Sequence, residues 1–214
     1  MGVKSGPRIV EDGIVFDIDA AVSRSYSGAG LTAYGLIAGL GATLVNGTGF
    51  GTTNNGYFIF DGSNDYINAG NDTSIQISSG TISAWTKASS PGGGFRGIIA
   101  KQYAYGMFYL DGVLAAYDWQ ASATRSSGVN IADGNWKNVV LTFSGGTGNL
   151  YSNGSSISNF TYNISNNLYN LFIGAEANAS QFAACNIAQV LVYNRALSSQ
   201  EVLQNYNATK GRYR

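Results

Sequence analysis

The chain has no histidine and a single cysteine, Cys185, in 214 residues. Without an imidazole to move protons near neutral pH, Ser-His-Asp and Cys-His relays are excluded. One cysteine cannot close an intrachain disulfide, and a cysteine–histidine zinc site lacks its ligands. Charge is also scarce and balanced, at 12 basic and 12 acidic residues. Nucleic-acid binding needs a concentrated positive surface to displace counterions. The only basic cluster is the short tail Lys210, Arg212 and Arg214, so no nucleic-acid partner is expected. No segment reaches the roughly 18 apolar residues of a membrane span, so no membrane role is expected either. The opening Met1–Gly6 has no apolar stretch of the kind that directs secretion.

Glycine, by contrast, is abundant at 29 residues, while hydrophobic residues make up 44% and aromatic ones 13%. That much apolar content argues against disorder and for aromatic-rich strands joined by many turns. A chain of this length would bury roughly 70% of its extended surface, enough for a core without staples. Short β-branched and aromatic runs recur between Gly/Asn/Ser clusters, among them Ile14–Asp19, Tyr57–Phe60, Tyr66–Asn68, Thr81–Thr86 and Gly97–Lys101. Gly106–Leu110, Val113–Trp119, Lys137–Phe143, Asn149–Ser152, Asn170–Gly174 and Asn186–Tyr193 continue the series. Such spacing without intervening helices predicts an antiparallel sandwich or barrel. One helix is predicted near the end, where Ser198 and Glu201 form a capping box and Val202, Leu203 and Tyr206 an apolar stripe. Gly211 is its expected stop. Residues 1–8 read as an N-terminal arm and residues 9–214 as one domain. Residues 20–56 are the least readable, with one strand expected around Thr43–Val45.

The densest aromatic run, Tyr103–Gln120, has a two-residue hairpin turn at Asp111-Gly112. In that register one face carries Phe108, Leu110, Val113, Ala115, Tyr117 and Trp119, which reads as core. The opposite face carries Tyr103, Tyr105, Met107, Tyr109, Leu114, Ala116, Asp118 and Gln120. Of these, Tyr103, Tyr105, Tyr109, Asp118 and Gln120 are the candidate ligand or interface residues. Tyrosines beside an acid and an amide suit sugar rings and hydroxyls, a subunit interface, or packing within the domain.

No clustered carboxylates of the kind that cleave glycosidic bonds occur. Asp17 and Asp19 come nearest, two residues apart on one strand face, and read as structural rather than catalytic. Calcium needs six to eight oxygens, and Asp61, Asp65 and Asp72 with Asn68 and Asn71 are weak candidates. Asx-turn chemistry explains Asp61 and Asp65 as well. Trp85, Trp136 and Tyr193 read as core, and Cys185 as a buried small hydrophobe. Pro91-Gly92-Gly93-Gly94 lacks the Lys-Ser/Thr of a phosphate loop.

Several motifs together resemble one family. Phe60-Asp61-Gly62-Ser63-Asn64-Asp65-Tyr66-Ile67 resembles the FDGxxDY signature of laminin-G-like, concanavalin A-like jelly rolls. Gly80–Trp85, Ile98–Lys101, Asp133–Val140 and Leu150–Gly154 are similar to the strands that follow it, in family order. The stretch Ile187–Ser198 with Glu201 resembles the last strand and helix start. The resemblance implies an all-β, concanavalin A-like (laminin-G-like) antiparallel β-sandwich jelly roll with one short C-terminal helix. Many relatives place an acidic residue near the position of Gln189, which weakens the calcium expectation, so no cofactor is expected. The opening, Ile9–Ile14 through Tyr26-Ser27-Gly28 to Leu44-Val45-Asn46-Gly47, resembles versions of the domain in tailed-phage structural proteins. It implies a non-enzymatic virion module, a head decoration, fibre or tail-associated protein attached to a phage capsid or tail protein. Assembly in the host cytoplasm and a homo-oligomer, first of all a trimer, would follow. A lectin-like module recognising glycans is the alternative, and a glycan-cleaving enzyme the remotest reading.

Overall fold

A computed structural model describes residues 8–37, 39–176 and 180–213. Among these, sixteen strands follow one another as β1 (Ile14–Asp19), β2 (Thr32–Tyr34), β3 (Gly41–Val45), β4 (Gly49–Gly51), β5 (Tyr57–Asp61), β6 (Tyr66–Asn68), β7 (Gly80–Lys87) and β8 (Phe95–Lys101). They continue as β9 (Tyr105–Leu110), β10 (Val113–Asp118), β11 (Ala123–Asn130), β12 (Lys137–Ser144), β13 (Thr147–Ser152), β14 (Ser155–Thr161), β15 (Leu171–Ile173) and β16 (Ala184–Tyr193). The helix α1 (Ser199–Thr209) follows.

The strands form two antiparallel sheets, the sandwich expected. Sheet I has the order β14-β13-β12-β7-β16-β5-β4, with β1 also paired to β16. β5 and β1 share one flank of β16, taking Ala184–Ile187 and Gln189–Tyr193 respectively. Sheet II has the order β11-β10-β9-β8-β15-β6-β3-β2.

Alternation along each strand sends one set of side chains between the sheets. Sheet I contributes Phe58, Ile82, Leu141, Phe143, Val190 and Val192, and sheet II Ile67, Ile99, Tyr105, Met107, Leu114 and Ile173. Tyrosines enter this core because their hydroxyls find partners there, as a buried phenol requires. Tyr105 stacks on Phe143 at 5.3 Å and donates to the Ile75 carbonyl at 2.7 Å. Tyr109 lies 2.6 Å from the Thr86 hydroxyl of the facing sheet.

The outer face of sheet I is covered by the C-terminal segment. Ser198 caps α1 with the expected box, and Glu201 forms a two-pronged pair with Arg195 at 3.1 and 2.7 Å. α1 ends at Thr209 rather than at Gly211, which lies inside a following 3₁₀ turn, Lys210–Arg212. Tyr213 then lies flat on Trp85, ring centres 4.2 Å apart, while the Trp85 indole donates to Thr209. Arg212 clamps Asp19 with both terminal nitrogens, at 2.7 and 2.6 Å. The N-terminal side joins this cover: Asn205 accepts from the Val10 N–H, and the Arg8 carbonyl accepts from Gln204. Apart from Arg8, the arm expected at residues 1–8 lies outside the described residues.

Candidate functional site

Among the described residues the outer face of sheet II is crossed only in part, by the connection that follows β15. The Asp111-Gly112 hairpin forms as predicted, pairing Leu110 with Val113 and placing both turn residues at positive φ. Its two faces are the reverse of the sequence expectation. Tyr105, Met107, Tyr109, Leu114, Ala116 and Asp118 point inward and are buried. Tyr117 and Trp119, expected as core, lie half-buried on the outer side with Phe95 of β8, and Phe108 is buried as expected but on this outer side, among their rings. Both faces are aromatic, so alternation alone does not orient the hairpin; the hydroxyl partners of Tyr105 and Tyr109 do. Tyr105 and Tyr109 are therefore packing residues, not surface contacts.

The four outer rings meet edge to face. Phe95 lies 5.5 Å from Phe108 and 5.7 Å from Tyr117, and Trp119 lies 5.5 Å from Tyr117 and 6.0 Å from Phe108. Edge-to-face contact is the arrangement that ring quadrupoles favour. Opposite them runs the connection from β15 to β16. It crosses directly over Gly97, where a Cβ would fall 2.3 Å from the Ala175 carbonyl oxygen, so only glycine fits. Gly97 N–H donates to the Gln181 carbonyl at 2.9 Å, and the backbones of Glu176 and Ser180 pair across the loop. Between quartet and loop lies a cleft of about 340 Å³, within the usual range of small-ligand sites.

Its polar lining comes from Gln102, Glu176 and Gln181. The side-chain oxygens of Gln102 and Gln181 are buried and accept no hydrogen bond among the described residues. Such orphaned oxygens are rare and call for a partner. The Glu176 carboxyl is also buried, and loss of hydration pushes it above the usual carboxylate range. At the mouth, Tyr103 is 48% exposed at φ 60° and packs on Tyr169, 5.4 Å away. Of the sequence candidates, Tyr103 alone lines the cleft.

The remaining candidates have structural roles. Asp118 is buried beneath β10; burial opposes its charge, but N–H groups of Ala121 and Asn163 and the Arg125 guanidinium outweigh this and lower its pKa. Gln120 is exposed outside the cleft lining. Asp17 accepts from the Ile37 N–H at 3.0 Å, with burial raising its pKa. Asp19 is taken by Arg212, Gln189 and the Ala21 N–H. The oxygens offered for calcium are engaged locally: Asp61 accepts from Ser63, Asp65 from the Asp61 N–H, Asn68 from Gly70 and Asp72 from Ser74. Asn71 accepts from the buried Lys101 ammonium, whose pKa burial lowers to about 8. Among the described residues no three Asp, Glu or Cys side chains cluster as a metal site. Cys185 is buried, and its thiol is pushed up to about 12 by lost hydration.

Sequence reasoning missed Phe95, Gln102, Glu176 and Gln181 as site residues, and read Phe108, Tyr117 and Trp119 as core alone. Gly97, which admits the crossing loop, was the one available signal.

Several solved structures share this fold. The binding domain of Paraclostridial Mosquitocidal Protein 1 superposes with a TM-score of 0.73 at 16% identity, covering 92% of this chain and 52% of that one. Trypanosoma rangeli sialidase in complex with sialic acid gives 0.71 at 15% identity, over 94% of this chain and 34% of that one. The binding domain of botulinum neurotoxin serotype D gives 0.67 at 16% identity, over 91% and 51%. The chain thus spans about half the length of the toxin binding domains and a third of the sialidase. At these identities the likeness is one of fold. No curated protein sequence matches the chain. A family model does match residues 61–203, most of the chain, and the chain accordingly belongs to the laminin-G-type branch of the concanavalin A-like lectin/glucanases superfamily.

Proposed function

We propose that this protein is a non-enzymatic carbohydrate-binding module whose ligand seat is the cleft on the outer face of sheet II. The observation that carries this reading is the aromatic quartet Phe95, Phe108, Tyr117 and Trp119 lining one cleft together with the polar side chains of Gln102, Glu176 and Gln181. Sugar rings present apolar C–H faces that stack on aromatic surfaces and hydroxyls that donate to amide oxygens. Asp17 and Asp19, the nearest thing to a catalytic pair, are bound into the fold, which supports binding without chemistry. Glycan-array screening followed by calorimetry tests this. Binding that falls at least about tenfold in Trp119→Ala, a loss of ~1.4 kcal/mol, supports the reading, and an array with no hits overturns it.

A second reading, attachment to a phage particle, draws on the opening residues and on exposed apolar side chains around β2. Leu31, Tyr34 and Ile37 are 68%, 52% and 53% exposed on and beside β2, an edge strand of sheet II. This surface would meet a capsid or tail protein or a second copy, trimeric assembly included, and the cleft would still be open. Co-sedimentation with bare phage shells, beside a mass measurement of the free protein, tests it. Saturable binding weakened by Leu31→Ser supports attachment; a monomer that never sediments with shells contradicts it.

A further inference from the structure

The charge around the cleft is arranged in one direction. Among the described residues Glu176 is the only acid in its lining, and no Lys or Arg lines it. Three cations stand close in sequence to lining residues, and each is directed away. Arg96 follows Phe95 but alternates to the opposite side of β8, beneath Gly92. Lys101 precedes Gln102 and donates to Asn71 and to the Tyr169 carbonyl. Arg125 is bound to Asp118. A guest carboxylate would therefore lose its hydration with nothing cationic to replace it and an acid beside it. Hydroxyls meet the reverse situation, since the Glu176 carboxyl and the amides of Gln102 and Gln181 that line the cleft are polar groups without positive charge.

Resting on the reading of this cleft as a sugar seat, we infer that it selects neutral glycans and rejects carboxylated ones such as sialylated or uronic acid sugars. Glu176 is the discriminating residue. It works by exclusion: a buried like charge penalises the wrong ligand more than it rewards the right one. The same burial raises the Glu176 pKa, so the site already resists one negative charge and would resist a second more strongly.

The experiment is an array of glycan pairs matched except for a carboxylate, lactose with sialyllactose and galacto-oligosaccharide with oligogalacturonate among them. Calorimetry on the best-bound pair follows, with wild type, Glu176→Gln and Trp119→Ala. Wild type should prefer the neutral member by at least about tenfold, and Glu176→Gln should narrow that ratio to within about threefold. Trp119→Ala should lose both members, which places them in the cleft. Equal or better binding of carboxylated members by wild type overturns the inference while leaving glycan binding intact. An unchanged ratio in Glu176→Gln overturns the assignment to that residue. No binding by any member removes the glycan reading and the inference together.

Discussion

Both sheets carry large aromatic side chains on their outer faces, and the two faces meet different fates. On sheet I, Trp85 and Tyr193 are sealed under α1 and the tail, and each polar atom on those rings has a partner: the Trp85 indole on Thr209, the Tyr193 hydroxyl on Val10 and Asn205. On sheet II, Phe95, Tyr117 and Trp119 stay half-buried beside amide oxygens that bond to nothing described. Aromatic content is therefore a poor guide to function here. What separates a packing face from a candidate ligand face is whether a later part of the chain covers its rings.

The strongest way to break this comparison is to truncate one tryptophan on each face. Trp85→Ala should cost about 3–5 kcal/mol in denaturant unfolding, the usual loss for a buried indole. Trp119→Ala should cost about 1 kcal/mol or less, as for a partly exposed site. Equal losses would make the sheet II quartet ordinary packing. Arg212→Met comes next. It leaves Asp19, 3% exposed, without its guanidinium and should destabilise by about 2 kcal/mol, below the loss for a fully buried pair because Arg212 is partly solvated. Glycan affinity should not follow that loss of stability.

Tyr109→Phe sharpens the inward assignment of the hairpin's tyrosine face. It removes the bond to Thr86 and should cost about 1 kcal/mol, with binding unchanged. A binding defect without a stability defect would return Tyr109 to the surface. The smallest effect is one of pH on the sheet I cover. Arg195, followed by the Ser198 N–H, lowers the Glu201 carboxyl from 4.5 to about 2. Because the folded value is the depressed one, this stabilisation is whole above about pH 4.5 and is lost as pH falls towards 2. Acid unfolding of Glu201→Gln should lack that part of the slope.

The strands that bury side chains on a face were legible in the sequence. β1 and β6 have the bounds their β-branched runs predict, and the capping box at Ser198 and the turn at Asp111-Gly112 are where their chemistry places them. β2, β4, β11 and β14 were not foreseen. β11 and β14 are the polar outermost strands of their sheets, held by backbone ladders on one side, so they need no apolar alternation to form. Thr43–Val45 was seen only as the end of β3. The candidate site was the least legible part. Its wall joins β8, β9 and β10 to a loop some seventy residues further on, and nothing local in Glu176 or Gln181 announces that meeting. The hairpin's orientation was lost for a related reason: with aromatics on both faces, hydroxyl partners on the other sheet decide which side turns in.

Trp85, Trp119 and Trp136 give the most direct test, since each indole N–H is a separate proton NMR signal. Trp85 donates to Thr209 and Trp136 to Asn54, both on the sheet I side, whereas Trp119 stands in the cleft. Titration with a neutral glycan identified on the array should shift the Trp119 indole signal progressively and leave the other two in place. Binding that moves Trp85 or Trp136 while Trp119 stays still would contradict the assignment of sheet II as the ligand face.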